Sequence, residues 1–369
     1  MVEGIQAIRA FETAGVRLFV GVPDSLMKGF CNALVSNDGP SENLVAANEG
    51  AAVAIAAGHY LATGHPAVVY MQNSGLGNAV NPLSSLASRR VYGIPMVLLI
   101  GWRGEPGVED EPQHEHQGEI TGPQLDLLEI PTLFAGPDDD VSVFVAACEK
   151  AVLVDGPVAV LVRKGTFASP PEIAAADGLT RLSAMEILIE HLPTDTAYVA
   201  TTGYTGRELA LLRAQRGERW SSDLLMVGSM GHASAIALGI ALGSPGRLMC
   251  CLDGDGAVVM HMGTLAAIGA EQPTNLLHVV MNNGVHESVG GQPSALRDTD
   301  IPALARSVGY ANALVAADRD ELAAAAARAR DHRGPSLIEV RIGSGTVESL
   351  PRPSNLRQRV VDMRDWLRA

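Results

Sequence analysis

The stretch Cys250–Gln292, CCLDGDGAVVMHMGTLAAIGAEQPTNLLHVVMNNGVHESVGGQ, constrains the chain more than any other. The apolar run from Arg247 to Leu252 predicts a buried strand. It breaks at Asp253-Gly254-Asp255-Gly256 and restarts with helical spacing through Met260, Met262, Leu265 and Ala266. A second buried strand, Leu276 to Met281, stops at Asn282-Asn283-Gly284. Asp255 and Asn283 therefore fall at the C-terminal ends of two strands, 283 − 255 = 28 positions apart. In an open α/β sheet that edge is where ligands bind. Glycine N–H groups at a helix start suit a phosphate, and an Asp and an Asn oxygen together suit a hard cation such as Mg²⁺. The pair describes a metal-bridged diphosphate. Gly254-Asp255-Gly256 alone would fit a plain glycine turn as well.

The rest of the chain alternates in the same way. Helical spacing runs from Ile5 to Ala14, and strand-like runs cover Val16–Val20, Ala67–Met71, Met96–Ile100, Val158–Val162 and Ala197–Ala200. An Ala-rich helix is expected over Ala51–Thr63, after the break at Asn48-Glu49-Gly50, and a long polar loop over Gly104–Thr121. Strands alternating with helices imply doubly wound parallel sheets, an α/β fold. The motif Ala54-Ile55-Ala56-x-Gly58-x-x-Leu61 recurs as Ala235-Ile236-Ala237-x-Gly239-x-x-Leu242, an offset of 235 − 54 = 181. The same offset carries Gly75 to Gly256 and Met96–Ile100 to Leu277–Met281, so two copies of one domain are expected. Periodicity fails and proline accumulates over Phe167–Leu179. We therefore expect domains at 1–168 and 181–369 with a linker at 169–180. The loop Gln72–Asn78, with Ser74 in it, is then the first domain's counterpart of the diphosphate loop.

A net charge of −14 with 27 basic residues argues against nucleic acid or an anionic membrane as partner. The four cysteines, Cys31, Cys148, Cys250 and Cys251, show no C-x-x-C spacing; the adjacent pair predicts small core residues. The N-terminus starts as an amphipathic helix without a signal-peptide core, and no apolar run reaches membrane length. A cytoplasmic protein is expected.

Strand, Gly254-Asp255-Gly256 turn, helix, strand and paired Asn together resemble the signature of the thiamine diphosphate-dependent enzymes. The resemblance implies a first domain that holds the aminopyrimidine and a second that holds the diphosphate. Asp255, Asn283 and the Val285 carbonyl would be the Mg²⁺ ligands, with Gly254 and Gly256 at the cofactor. Glu49 resembles the glutamate that shares a proton with N1′ of the aminopyrimidine; a Glu placed to favour a helix dipole is the plainer reading. Met230 resembles the residue wedged between the cofactor rings, with the Gly228 carbonyl beside the 4′-amino group, although Met before an apolar helix is ordinarily core. Gly203, in Thr201-Thr202-Gly203, would add backbone donors to the diphosphate or be an ordinary turn.

Five further segments are similar to the phosphonopyruvate decarboxylase branch of that family. They are Gly21–Ser25, Tyr70–Asn78, Ile100–Gly107, Glu111–His114 and Asn282–Ser288. That implies non-oxidative decarboxylation of 3-phosphonopyruvate to phosphonoacetaldehyde, for phosphonate biosynthesis. Asp24 would donate or relay a proton and His286 would face the substrate. Lys28, Arg103, His114, His116 and Lys164 are the candidates to grip the phosphonate. Each is otherwise a solvated charge, Asp24 a turn residue and His286 a cap. The partner implied is a small 2-oxo acid with a second anionic group, and a homodimer or larger homo-oligomer with sites shared between chains. Sulfopyruvate is the alternative substrate. A dinucleotide oxidoreductase would need G-x-G-x-x-G where Gly21 stands alone, and a non-catalytic binding module would be expected to lack Glu49 or Asp255.

Overall fold

The unbroken apolar runs of the first half are what strands covered on both faces require. In the computed structural model, which describes residues 1–168, 178–218, 221–347 and 349–369, they supply four of the six strands of one sheet. The six are β1 (Leu18–Gly21), β2 (Glu42–Val45), β3 (Ala67–Gln72), β4 (Met96–Gly101), β5 (Thr132–Ala135) and β6 (Pro157–Val162). All pair in parallel, in the order β2-β1-β3-β4-β6-β5. Strands β4 and β6 are buried at every residue, whereas β2 and β5 at the edges are partly exposed. One face carries an aromatic core in which Phe11, Phe19, Phe30, Phe144 and Phe167 pack edge-on or stacked. The other face is covered by small and aliphatic residues of helices Glu49–Thr63 and Leu76–Pro82.

The second half builds β7 (Ala197–Ala200), β8 (Asp223–Leu225), β9 (Met249–Gly254) and β10 (Leu276–Asn282). A short pair follows, β11 (Val285–His286) with β12 (Gln292–Pro293), then β13 (Asn312–Ala316) and β14 (Ser336–Arg341). Its sheet is also parallel and runs β8-β7-β9-β10-β14-β13, the order of the first sheet strand for strand. The chain divides into two compact units, Met1–Glu172 with His286–Pro293, and Ile173–Val285 with Ser294–Ala369.

The repeat is real, but its register is not a constant 181. Met96 pairs with Ala67, a separation of 96 − 67 = 29, while Leu277 pairs with Cys250, a separation of 277 − 250 = 27. The first unit inserts a 3₁₀ turn, Asn73–Gly75, between β3 and the next helix. In the second, helix Asp255–Met260 starts directly after β9. Three local expectations are corrected as well. The polar segment Gly104–Thr121 is not all loop, because helix Pro112–Leu127 begins inside it. Pro112 at its first turn presets φ, and Gly118, Thr121 and Leu125 form its buried stripe. Only one of those three is a large apolar residue, so the pattern is faint. The single helix expected after Asp255 is two, Asp255–Met260 and Gly263–Glu271, separated at His261 and Met262. The strand expected from Arg247 starts at Met249. Of the linker expected at 169–180, residues 169–177 lie outside the described residues. Thr180 is already the N-cap of helix Arg181–His191, its Oγ1 accepting from the Ser183 N–H at 3.1 Å.

All four cysteines are buried and free. Among the described residues no helix is long and apolar enough to cross a membrane.

Candidate active site

Strand order reverses between β1 and β3 in one sheet and between β7 and β9 in the other, and the crevice beyond such a point is where open sheets bind ligands. In the second unit, β9 delivers Asp255 to that place as the first residue of its helix, 3% exposed. Asp255 Oδ2 has no hydrogen-bond partner. Burial pushes its carboxyl up to about 6, against the Ser294 hydroxyl and the Gly256 amide, which favour the anion. A buried carboxylate oxygen with nothing to bond is costly unless a cation meets it, so the site fits a hard metal ion. β7 brings Thr201 to the other side of the crevice, followed by Gly203 at φ 94°, which caps helix Tyr204–Gln215. Beyond β10, the two Asn side chains divide their labour. Asn282 is structural: its Nδ2 donates to Glu339 Oε1 at 2.8 Å and its Oδ1 accepts from the Gly284 N–H at 3.0 Å. Asn283, half-buried, accepts from the Val285 N–H at 3.2 Å, which curls the loop so that Asn283 and Val285 stay together. Gly228 and Met230 are half-buried in the loop before helix Ala233–Gly243.

In the first unit, Glu49 opens helix Glu49–Thr63 behind Asn48, whose Oδ1 caps the Ala51 N–H at 2.9 Å. Glu49 is 4% exposed, burial raises its carboxyl above the usual range, and Asn78 Nδ2 donates to Oε2 at 2.8 Å. Gly75 lies so close that a Cβ there would overlap the Glu49 carboxylate, which explains a glycine in that turn. Asp24, just past β1, is 1% exposed with neither carboxylate oxygen hydrogen-bonded. Burial pushes it up to about 6, only partly offset by nearby backbone amides and the Arg103 guanidinium. A Cβ on Gly101 would overlap its Oδ2.

Arg103, past β4, is not a free cation. Its guanidinium grips Asp110 through Nε (2.7 Å) and Nη2, and donates to Ser25 Oγ at 2.8 Å. Asp110 also accepts from the Gly104 N–H at 2.8 Å and meets His114 Nδ1 at 3.1 Å, and hydrogen bonding from Arg103 and His114 outweighs burial to hold its carboxyl well below the ordinary range. Asn73 fixes the backbone there, donating to the Arg103 carbonyl at 2.8 Å and accepting from its N–H at 3.2 Å.

So the structure brings Asp24, Arg103 and His114 together at one edge, with Glu49 and Ser74 following the neighbouring strands β2 and β3. Ser74 is exposed and accepts from Gln72 Nε2 at 2.6 Å. Lys28 is half-buried at the start of helix Lys28–Val35, Lys164 is exposed after β6, and His116 stands out in solvent beside Glu119. His286 is buried within the first unit, and burial lowers its imidazole to about 4, so it is neutral. Sequence reasoning missed Asn78, Asp110 and Ser294. Asn78, three residues after Gly75 in the recognised loop, was findable; Asp110, flanked by Glu109 and Glu111, carries no signal that separates it from a solvated acidic run.

Two family models match. One, the N-terminal TPP binding domain of thiamine pyrophosphate enzymes, covers residues 4–130; the other, their C-terminal TPP binding domain, covers 201–340. Phosphonopyruvate decarboxylase of Streptomyces viridochromogenes is 37% identical, over 96% of this chain and 91% of that one. Phosphonopyruvate decarboxylase of Streptomyces hygroscopicus is 35% identical, over 96% and 90%. Sulfopyruvate decarboxylase of Methanosarcina acetivorans is 27% identical, over 93% and 92%.

Proposed function

The chain belongs to the thiamine pyrophosphate enzymes, and on that premise we propose that it decarboxylates 3-phosphonopyruvate to phosphonoacetaldehyde and carbon dioxide. It is a carboxy-lyase acting on a 2-oxo acid. The observation that carries the substrate is the 37% identity over nearly the whole chain to a phosphonopyruvate decarboxylase, ten points above the sulfopyruvate relative.

When bound, thiamine diphosphate supplies the sink for the electron pair that stays behind as carbon dioxide leaves. The chain's own residues do the rest. Asp255, Asn283 and the Val285 carbonyl would hold Mg²⁺, and Gly203, Gly254, Gly256 and Ser74 would be further contacts for the diphosphate. Met230 and the Gly228 carbonyl would contact the cofactor rings. Glu49, buried and steadied by Asn78, would hold the proton that it shares with N1′ of the bound cofactor. Asp24, poised near neutrality, returns a proton to the product carbon, and neutral His286 lines the substrate side. Arg103 and His114 meet the phosphonate, Arg103 by exchanging part of its hold on Asp110 for the incoming anion. Lys28, Lys164 and His116 attract the substrate from the rim. Glu49 of one chain serves with Asp255 of a second copy, which makes a homodimer or larger homo-oligomer the active form, working in the cytoplasm.

The test is carbon dioxide release from phosphonopyruvate and from sulfopyruvate, each with and without thiamine diphosphate and Mg²⁺. We expect cofactor-dependent release and a preference for phosphonopyruvate. A preference for sulfopyruvate would replace the substrate and leave the site intact; no release from either would end the reading.

A further inference from the structure

Behind Asp255, on the β9–β10 face that packs against helix Ala233–Gly243, three chemistry-bearing side chains converge that the reaction does not use. Cys251 and His278 are register partners on neighbouring strands. Asp253, two residues along β9, presents to the same face. All three are fully buried, and one potential ligand atom from each lies within 4.8 Å of the others. Among the described residues this is the one such group of three.

Two details go beyond proximity. Asp253 Oδ2 and His278 Nε2 are both buried without a hydrogen-bond partner, although they face each other at 3.5 Å. That gap is longer than a normal N–H···O bond of about 2.7–3.2 Å. It lies close to the edge of a tetrahedron whose metal–N and metal–O bonds are about 2.0–2.1 Å long, roughly 3.3 Å. The remaining atoms are already occupied in the way metal ligands usually are. His278 Nδ1 meets the buried Tyr310 hydroxyl at 3.1 Å, which fixes the ring, and Asp253 Oδ1 accepts from the Gly254 N–H at 3.1 Å. Each pins its side chain so that the second atom is left aimed into the gap.

We propose that Cys251, Asp253 and His278 form a structural site for a soft divalent cation, Zn²⁺ by its ligand chemistry, separate from the hard-cation corner at Asp255. Thiolate, carboxylate and neutral imidazole balance the charge of one Zn²⁺, the Cys251 thiol proton being released to solvent as the metal–sulfur bond forms. The fourth tetrahedral position falls to water. The ion ties β9 to β10, the two strands whose ends carry Asp255 and Asn283. Because the site is closed, it loads as the unit folds.

The full chain is expressed with zinc in the medium, purified without chelators and its metal content measured. We expect about one zinc per chain, with X-ray absorption showing one sulfur at about 2.3 Å and the remaining ligands N or O. Protein refolded with Co²⁺ should show a thiolate-to-cobalt charge-transfer band. Cys251→Ala should lose the band and fall to below about a tenth of the zinc, while Asp255→Ala keeps both. The proposal is overturned by wild-type protein that holds little zinc and shows no cobalt–thiolate band. It is equally overturned by undiminished zinc in folded Cys251→Ala and His278→Ala. If those variants do not fold, the wild-type sulfur count and cobalt spectrum decide.

Discussion

The two units share one strand order and differ in what they place beyond it. The first fills its edge with side-chain charge: Glu49, Asp24 and the Arg103–Asp110–His114 cluster. The second fills it with backbone and glycine, and sets Asp255 and Asn283 among them. A parallel sheet with its switch point supplies the crevice in both cases, but the loops decide whether the crevice handles protons or holds a phosphate. Pattern in the strands therefore speaks for the fold, and only the loop residues speak for the chemistry.

Four substitutions probe that division. Asp255→Ala should do most, because it removes the buried carboxylate whose Oδ2 stands without a hydrogen-bond partner at the head of helix Asp255–Met260. Wild-type protein at a hundredfold excess of cofactor over Kd, with Mg²⁺, should gain about 3 kcal/mol of stability, and the variant none, as read by thermal shift. An unchanged shift would move the metal elsewhere. Glu49→Gln should leave that shift in place yet slow exchange of the cofactor C2 proton by about a hundredfold to ten-thousandfold, followed by NMR. If instead the thermal shift is lost and exchange survives, the two edges have been assigned the wrong way round.

Arg103→Ala tests whether the charged cluster reads the substrate or merely holds the loop. One charge-assisted hydrogen bond is worth about 1.5–3 kcal/mol, so kcat/KM for phosphonopyruvate should fall about ten- to a hundredfold. Turnover of pyruvate, which lacks the second anion, should stay level; an equal fall on both substrates would make Arg103 a scaffold. The smallest effect is expected from Asp24→Asn on stability. Burial holds Asp24 at about 6 against an ordinary 3.8, so the folded chain binds this proton more tightly than the unfolded one. Its contribution therefore falls as pH rises from about 4 through 6, by at most about 3 kcal/mol, and levels off above. The variant should melt several degrees higher than wild type at pH 7 and no higher at pH 4. A gain that persists at pH 4 would assign the effect to packing.

The central strands were legible because burial on both faces leaves a largely apolar run, unbroken in Met96–Gly101 and interrupted only at His278 in residues 276–281. The places of Asp255, Asn283 and Glu49 just past strand ends were legible because each follows apolar residues and sits beside glycine or asparagine. Helix Pro112–Leu127 was not, because glycine and threonine fill two of its three buried positions. The Arg103–Asp110 clamp was not, because an acidic surface run conceals which carboxylate turns inward. Nor does any periodicity mark the eight residues His286–Pro293 that join the first unit, since they form only a short strand pair and a 3₁₀ turn.

The two-residue difference between the β3–β4 and β9–β10 spans bears on any attempt to recombine the halves. Side chains on a strand alternate with period two, so a slip of two keeps every residue on its own face. The core of a chimaera spliced at a constant offset of 181 would accept it. Along the strand, however, two residues are about 6.6 Å, so a grafted carboxylate would stop more than a bond's reach from its target. An insertion of two is thus silent to packing and decisive for aim. A graft that carries the Asp255 loop into the first unit has to remove the 3₁₀ turn Asn73–Gly75 with it.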